Sequence, residues 1–480
     1  RGNDVGKPRN DGREVAGIAD KFSRPLAENF APLVEAMKKY SADGALAFHT
    51  PGHKQGLGAH KFLRELITAE GLRQEVSLMD ELDDLHSPHS CIRAAETLAA
   101  ELWHANDALF IVNGTSSAIH AMILAALQPN DLVFVPRNSH RSVAAALILS
   151  GARPVFLPVQ FSTALKIPLN LTVETVKAAI KKFPLAKALI ATSPNYYGVA
   201  ADLPQISALL HAAGMFLLVD EAHGAHLQFC SKLPPSAMDS GADLSAQSTH
   251  KLLGSLTQTS MLLVKNFPPE KARRAASLLQ TTSPNYLLLA SLDAARLQMA
   301  QSGPQKISAA VQFAQNLRAE INSTAGLSAF DAVPNFALDA TKLTVNVERL
   351  GLTGIAAEKI LRHELKIQCE LSDAANLLFL ITYADTRATA EKLLDALKKL
   401  AARPKISAAS TGLSAPPAEI ALAEMSPRET FFAQKKSVAL EKSVGEICAE
   451  EITFYPPGIP ILNPGEKITA AAVEYIRETK

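Results

Sequence analysis

Phe216-Leu217-Leu218-Val219-Asp220 and, further along, Ser245-Ala246-Gln247-Ser248-Thr249-His250-Lys251 are the stretches that decide how this chain folds. The first is an unbroken apolar run closed by an acid, the pattern of a strand covered on both faces with a polar residue at its carboxyl end. The second brings a lysine directly after small residues and a histidine. From about 92 to 265 similar apolar runs alternate with helical stretches. Strands are predicted over 109–112, 132–135, 155–157, 189–192, 216–219 and 261–264, and helices over 92–104, 117–127, 142–150, 172–183 and 203–213. This alternation argues for an α/β large domain with a mainly parallel sheet and crossover helices. In such sheets ligands sit at the carboxyl ends of the strands.

On either side the pattern changes. Residues 1–25 are polar and aperiodic, a helix is expected over 32–40, and Phe48-His49-Thr50-Pro51-Gly52-His53-Lys54-Gln55-Gly56 reads as a loop. A helical stretch over 269–299 leads to a strand over 342–350, a helix over 355–363, a strand over 378–382 and a helix over 388–401, enough for a smaller α/β domain. The Ala/Ser/Pro-rich segment 402–418 reads as a linker. A last module contains Tyr455-Pro456-Pro457-Gly458-Ile459-Pro460 and Asn463-Pro464-Gly465-Glu466, whose prolines favour an extended path. The expected division is therefore an arm over 1–60, a large domain over 61–303, a small domain over 304–401, and a linker with a C-terminal module over 402–480.

With 480 residues the chain exceeds one compact core. Its 48 Lys+Arg against 47 Asp+Glu give no global field that would favour nucleic acid or an anionic membrane, so a small-molecule ligand is expected. Cys91, Cys230, Cys369 and Cys448 show neither disulfide nor zinc spacing, which fits a reducing compartment. No apolar run approaches the roughly 18 residues needed to cross a bilayer. The first residue is Arg1, so a cytoplasmic protein and one sent to an organelle stroma by a transit peptide are both open.

Taken alone, each polar group has an ordinary reading. Asn113-Gly114-Thr115-Ser116-Ser117 follows a strand and opens a helix, which is either a common hydroxyl cap or a phosphate cradle. Asp220 could cap a helix, and Lys251 could be one more solvated cation. The two together change the balance. A lysine amine can form a Schiff base with the aldehyde of pyridoxal phosphate, while an aspartate keeps the ring nitrogen protonated so that the ring accepts electrons. His140, His223, His226 and His250 gather near the proposed strand ends. His223 and His226 could share a helical face, but no third ligand accompanies them, and no metal site is expected.

The motifs Thr50-Pro51-Gly52-His53-Lys54-Gln55-Gly56, Asn113-Gly114-Thr115-Ser116, Asn138-Ser139-His140-Arg141-Ser142, Asp220-Glu221-Ala222-His223, Ser248-Thr249-His250-Lys251, Thr281-Thr282-Ser283-Pro284 and Tyr455-Pro456-Pro457-Gly458-Ile459-Pro460 resemble those of the bacterial-type ornithine/lysine/arginine decarboxylases. The resemblance runs from about residue 25 to the C-terminus. It implies an aspartate-aminotransferase-like, fold type I pyridoxal-phosphate enzyme of polyamine biosynthesis. Lys251 would carry the cofactor, Asp220 would face its ring nitrogen, His140 would stack on the ring, and His223 would lie near the phenolic oxygen or the substrate. Thr115, Ser116, Ser248 and His250 would bind the phosphate, reached also by Thr282 from a second subunit, so that a homodimer with shared active sites is implied. No receiver-like wing precedes the large domain, which resembles the short form and implies no decamer.

Two stretches depart from the family pattern: Ser87-Pro88-His89-Ser90 and Ser193-Pro194-Asn195-Tyr196. The implied reaction is α-decarboxylation of arginine, lysine or ornithine to agmatine, cadaverine or putrescine; the distal cation calls for a carboxylate, and Glu450 is the candidate on its location alone, shortly before the Tyr-Pro-Pro-Gly segment. Transamination, aldol cleavage and a non-catalytic regulatory homologue are the rival readings.

Overall fold

A computed structural model of the chain describes residues 29–404, 419–454 and 459–479. Its centre is an eight-stranded sheet in the order Asp107–Ile111, Ser260–Val264, Leu244–Gln247, Phe216–Asp220, Ala188–Thr192, Leu132–Pro136, Arg153–Leu157 and Ala421–Leu422. The five strands from Leu244–Gln247 to Arg153–Leu157 run parallel. Ser260–Val264 and Ala421–Leu422 run antiparallel to their neighbours.

The apolar runs have the expected cause. Leu217 and Val219 point into one core and Leu218 into the other, as do Leu189 and Ala191 against Ala188 and Ile190. Burying both faces, at roughly 1.5–3 kcal/mol per large apolar side chain, makes these strands the rigid part of the molecule. Register then sets the chemistry: Asp220 pairs with Thr192 on one side and Ala246 on the other, at the carboxyl edge.

Helix Tyr286–Asn322 joins the two α/β units. Its first half, including Tyr286, Leu289 and Met299, packs on the large core, while Ala314, Leu317 and Ile321 pack on the small one. The expected boundary at 303/304 falls inside this continuous helix. The helical stretch predicted over 269–299 is two helices, Pro269–Leu279 and Tyr286–Asn322. They separate at Thr281-Thr282-Ser283-Pro284, and the Asn285 side chain caps the second by accepting from the Leu287 and Leu288 N–H groups.

The small unit is a four-stranded antiparallel sheet, ordered Ser328–Ala329, Lys342–Asn346, Asn376–Leu380 and Leu371–Ser372. Helices Gly354–His363 and Arg387–Ala401 cover it. The strand predicted over 342–350 ends at Asn346 and gives way to a 3-10 turn, Glu348–Leu350.

In the C-terminal module, strands Ile452–Phe454 and Ile459–Leu462 pair antiparallel and helix Ala470–Thr479 packs beside them. Arg137 clamps the module to the large sheet through two contacts to Glu466, at 2.7 and 3.2 Å. The greater part of the expected linker and the Tyr455-Pro456-Pro457-Gly458 segment lie outside the described residues. Among the described residues no helix is long and apolar enough to cross a membrane.

Candidate active site

A cavity of about 870 Å³ opens at the carboxyl edge of the parallel strands. Lys251 and Asp220 both line it, as do Thr115, Ser116, His140, His223, Ser248 and His250. Strand Phe216–Asp220 delivers the aspartate. The neighbouring strand Leu244–Gln247, absent from the strands predicted above, runs into the short helix Thr249–Leu252 that carries the lysine.

At one end, helix Gly114–Ala126 begins three residues earlier than predicted, with Gly114 at φ +81°. That left-handed turn suits glycine and places Thr115 and Ser116 in the first turn, where backbone N–H groups lack partners within the helix. Thr115 Oγ1 lies 2.5 Å from Ser248 Oγ and donates to Ser260 Oγ at 3.0 Å. His250 Nδ1 lies 2.6 Å from the Thr259 carbonyl, which fixes its ring. Hydroxyls and open amides at a helix start are what an anionic phosphate needs.

At the floor, Asp220 is 3 % exposed, and among the described residues its carboxylate accepts from the Ala222 N–H at 3.2 Å. Burial raises its pKa, opposed by His140 and Lys251. A buried carboxylate with one backbone donor and, among the described residues, no direct ion pair has room for a charged donor, which a protonated ring nitrogen would supply. Lys251 is lowered by burial, with Asp220 and Glu370 opposing, so its uncharged amine is more accessible than that of a surface lysine. His140 is likewise lowered by burial. The hydroxyl cradle, the carboxylate and the amine thus fit pyridoxal phosphate.

Other placements differ from the sequence reading. His223 and His226 do not share a helical face. His223 Nε2 lies 2.9 Å from Lys251 Nζ, whereas His226 turns away to Asp339 at 3.2 Å and Thr341 at 3.1 Å. Among the described residues no group of three His, Cys, Asp or Glu is set to hold a metal. Thr282 is exposed and does not line the cavity of its own chain. The adjacent Thr281 N–H donates to Asn113 Oδ1 at 3.3 Å, beside the helix start. Glu450 does not line the cavity; its neighbour Glu451 does, together with Thr453.

Sequence reasoning also passed over the wall of the site. Tyr196, within a departing stretch, sits 4.7 Å from the His223 ring, and the Lys251 amine lies 5.6 Å from the Tyr196 ring centre. Asn195 donates to the Pro168 and Leu169 carbonyls at 3.1 and 2.6 Å, bracing that wall. The other departing stretch is tied down from outside: the buried Asp83 carboxylate accepts from the N–H groups of its His89 and Ser90 and of Ile92 and Arg93 just beyond, a structural cap away from the cavity.

Comparison with known proteins agrees with this geometry. The sequence profile of the Orn/Lys/Arg decarboxylase major domain matches residues 31–345, and that of the family's C-terminal domain matches 414–480. An arginine decarboxylase of Halalkalibacterium halodurans is 41% identical over 455 residues, covering 93% of each chain. A lysine decarboxylase of Francisella novicida superposes with a TM-score of 0.82 at 21% identity, over 97% of this chain and 79% of that one. An alanine–glyoxylate aminotransferase from Nostoc superposes with a TM-score of 0.51 at 19% identity, over 64% of this chain and 85% of that one. These likenesses establish the aspartate-aminotransferase-like, type I fold. The chain therefore belongs to the Orn/Lys/Arg decarboxylase family.

Proposed function

We propose that this protein is a pyridoxal-phosphate-dependent decarboxylase of a basic amino acid, with arginine the first substrate to test. The observation that carries the reading is the convergence of Lys251, Asp220 and the Thr115–Ser248 hydroxyls on one cavity. Bound there, the cofactor supplies an aldehyde for amine attachment and a ring that accepts electrons as the carboxylate leaves. The chain does the rest. Lys251 offers the attaching amine and, once released, an acid for the substrate carbon. Asp220 holds a proton on the ring nitrogen. Thr115, Ser116, Ser248 and His250 hold the phosphate, and His140 and Tyr196 confine the ring and exclude water.

Glu451 is the assigned anchor for the distal cation of the substrate. It lines the cavity from the C-terminal module, and burial raises its pKa against the opposing charge of Arg141. Arginine is favoured by the identity shared with the Halalkalibacterium enzyme across nearly the whole chain.

The working unit is assigned as a homodimer with shared sites. Leu46, Phe48 and Leu57 in the arm and Phe62 and Leu66 in the helix that follows it are each at least 66 % exposed, more apolar surface than a monomer comfortably presents. A second copy covering that arm would bring its own exposed Thr282 loop toward the phosphate.

The test is product analysis on arginine, lysine and ornithine. Equal amounts of CO2 and amine from one of them are expected; oxo-acid without CO2 would replace the reading with transamination.

A further inference from the structure

Behind the cavity wall stands Lys342, the first residue of strand Lys342–Asn346 in the small unit, with no exposure to solvent. It does not line the cavity. Its Nζ lies 2.6 Å from Nδ1 of His223, and Nε2 of the same ring lies 2.9 Å from Nζ of Lys251. Three nitrogen bases contributed by the two α/β units are thus hydrogen-bonded in series.

An imidazole between two amines restricts how many protons the three can hold. A neutral ring has one N–H and one bare nitrogen, so it accepts from one ammonium and donates to one uncharged amine. A doubly protonated ring would require both amines uncharged. Two ammonium groups would set one N–H against another. The series therefore holds at most one positive charge in any hydrogen-bonded arrangement open to it, and that charge can sit on either amine.

We propose that Lys251, His223 and Lys342 form a proton relay in which Lys342 takes up the proton that Lys251 loses to act as a free amine, and returns it when Lys251 acts as an acid. The inference rests on the assignment of Lys251 made above. In the forward direction a Lys251 N–H proton passes to Nε2 while the Nδ1 proton passes to Lys342 Nζ. Charge moves from one amine to the other, and no bond to carbon changes.

The surroundings suit both end states. Asp220 and His140 face Lys251, His226 and Asp339 lie beside the far end, Glu370 acts on both lysines, and Tyr196 packs on the His223 ring. Each lysine thus has a carboxylate to stabilise its charge, Asp220 at one end and Asp339 at the other. Burial lowers Lys342 to about 7 against the pull of Asp339, so both of its states are accessible near neutrality. Burial first, then the two lysines, hold His223 well below its usual range and keep the ring neutral.

Lys342 is also held in place. Its N–H donates to the Asp339 carbonyl at 3.1 Å, and Arg318 donates to its carbonyl at 3.0 Å. Gly198, at φ +85°, passes so close that an added Cβ would lie 2.8 Å from the Lys342 Cβ and Cγ. Lys342 is a positioning residue: it acts on the reacting amine through His223.

The test is the pH dependence of chromophore formation when pyridoxal 5'-phosphate is added, without substrate, to the cofactor-stripped full chain. Lys342→Met removes the acceptor and its charge, so Lys251 keeps its proton and the midpoint rises by roughly one pH unit. Lys342→Arg places a permanent donor on Nδ1, forces the Nε2–H tautomer toward Lys251, and lowers the midpoint. Shifts of opposite sign are expected, because loss of a merely structural lysine would not separate the two variants. Midpoints that stay put, or move the same way, overturn the relay.

A second measurement needs no variant of Lys342. In the native chain, nitrogen NMR of His223, assigned by its loss in His223→Gln, should show both ring nitrogens averaged between protonated and bare across the neutral range. One fixed tautomer throughout would refute the relay. Failure of the native chain to form any chromophore would instead remove the Lys251 assignment, and the relay with it.

Discussion

Replacing Arg137 by alanine tests how the C-terminal module is tied to the site. The Arg137 and Glu466 side chains are only 11% and 7% exposed and meet through two charge-assisted contacts at 2.7 and 3.2 Å. Breaking a buried pair by removing one partner costs roughly 3–5 kcal/mol, because the other charge stays behind without compensation. Here Glu466 keeps the Asn463 backbone and side-chain N–H donors, at 2.9 and 3.2 Å, so the low end, about 3 kcal/mol, applies. At roughly 1 °C per kcal/mol for a chain of this size, calorimetry should show the transition that includes this module about 3 °C lower. The same loosening displaces Glu451 and Thr453 from the cavity, so KM for the basic substrate should rise while kcat changes less. Arg137→Lys keeps the charge but loses the fork, and should fall between. An unchanged melt together with an unchanged KM would refute the idea that this pair seats the module.

Three further outcomes follow from the site and the core. Glu451→Gln removes the proposed anchor: a contact at about 4 Å is worth about 4 kcal/mol at an effective dielectric of 20, halved here for partial exposure, so KM should rise roughly thirtyfold with kcat nearly kept. Equal KM values for variant and native enzyme would move the anchor elsewhere. Asp220→Asn should lower kcat by on the order of a hundredfold or more while the chromophore still forms, as absorbance and turnover measured side by side would reveal; full turnover would contradict its role. Glu221, fully buried, has its pKa raised by burial to about 7. A carboxyl with a raised folded-state pKa stabilises at low pH and loses that contribution as pH climbs from about 4.5 to about 7, here by roughly 3 kcal/mol. Melting temperature followed across that window should decline in the native chain and flatten in Glu221→Gln; parallel curves would rule the mechanism out.

Much of this architecture is legible because the parallel strands are apolar on both faces, so runs such as Phe216–Val219 stand out without any alternation. The strand Leu244–Gln247 escapes the same test for a physical reason. Its Ser245 and Gln247 are polar and still fully buried, because both donate to Glu221, at 2.8 and 2.7 Å. That satisfaction comes from a residue more than twenty positions away, which no local pattern shows. Lys342 is hidden similarly, since a lysine opening a strand reads as an exposed edge until the fold sets His223 against it. Glu450 and Glu451 stand just before strand Ile452–Phe454, and it is Glu451, two residues from Thr453, that shares the cavity side with it, a phase that proline content does not show. The hydroxyl-rich helix start at Asn113-Gly114-Thr115-Ser116, by contrast, is local, whereas Ser248 and His250 enter only through the family resemblance; Thr115, Ser116, Ser248 and His250 all line the cavity.

The most direct test of the whole account is to incubate the full chain with pyridoxal 5'-phosphate, reduce with borohydride and map the modified peptide. The expected result is a single cofactor adduct on Lys251. An adduct on another lysine, or none at all, would contradict the claim that this amine, facing Asp220 across one cavity, carries the chemistry.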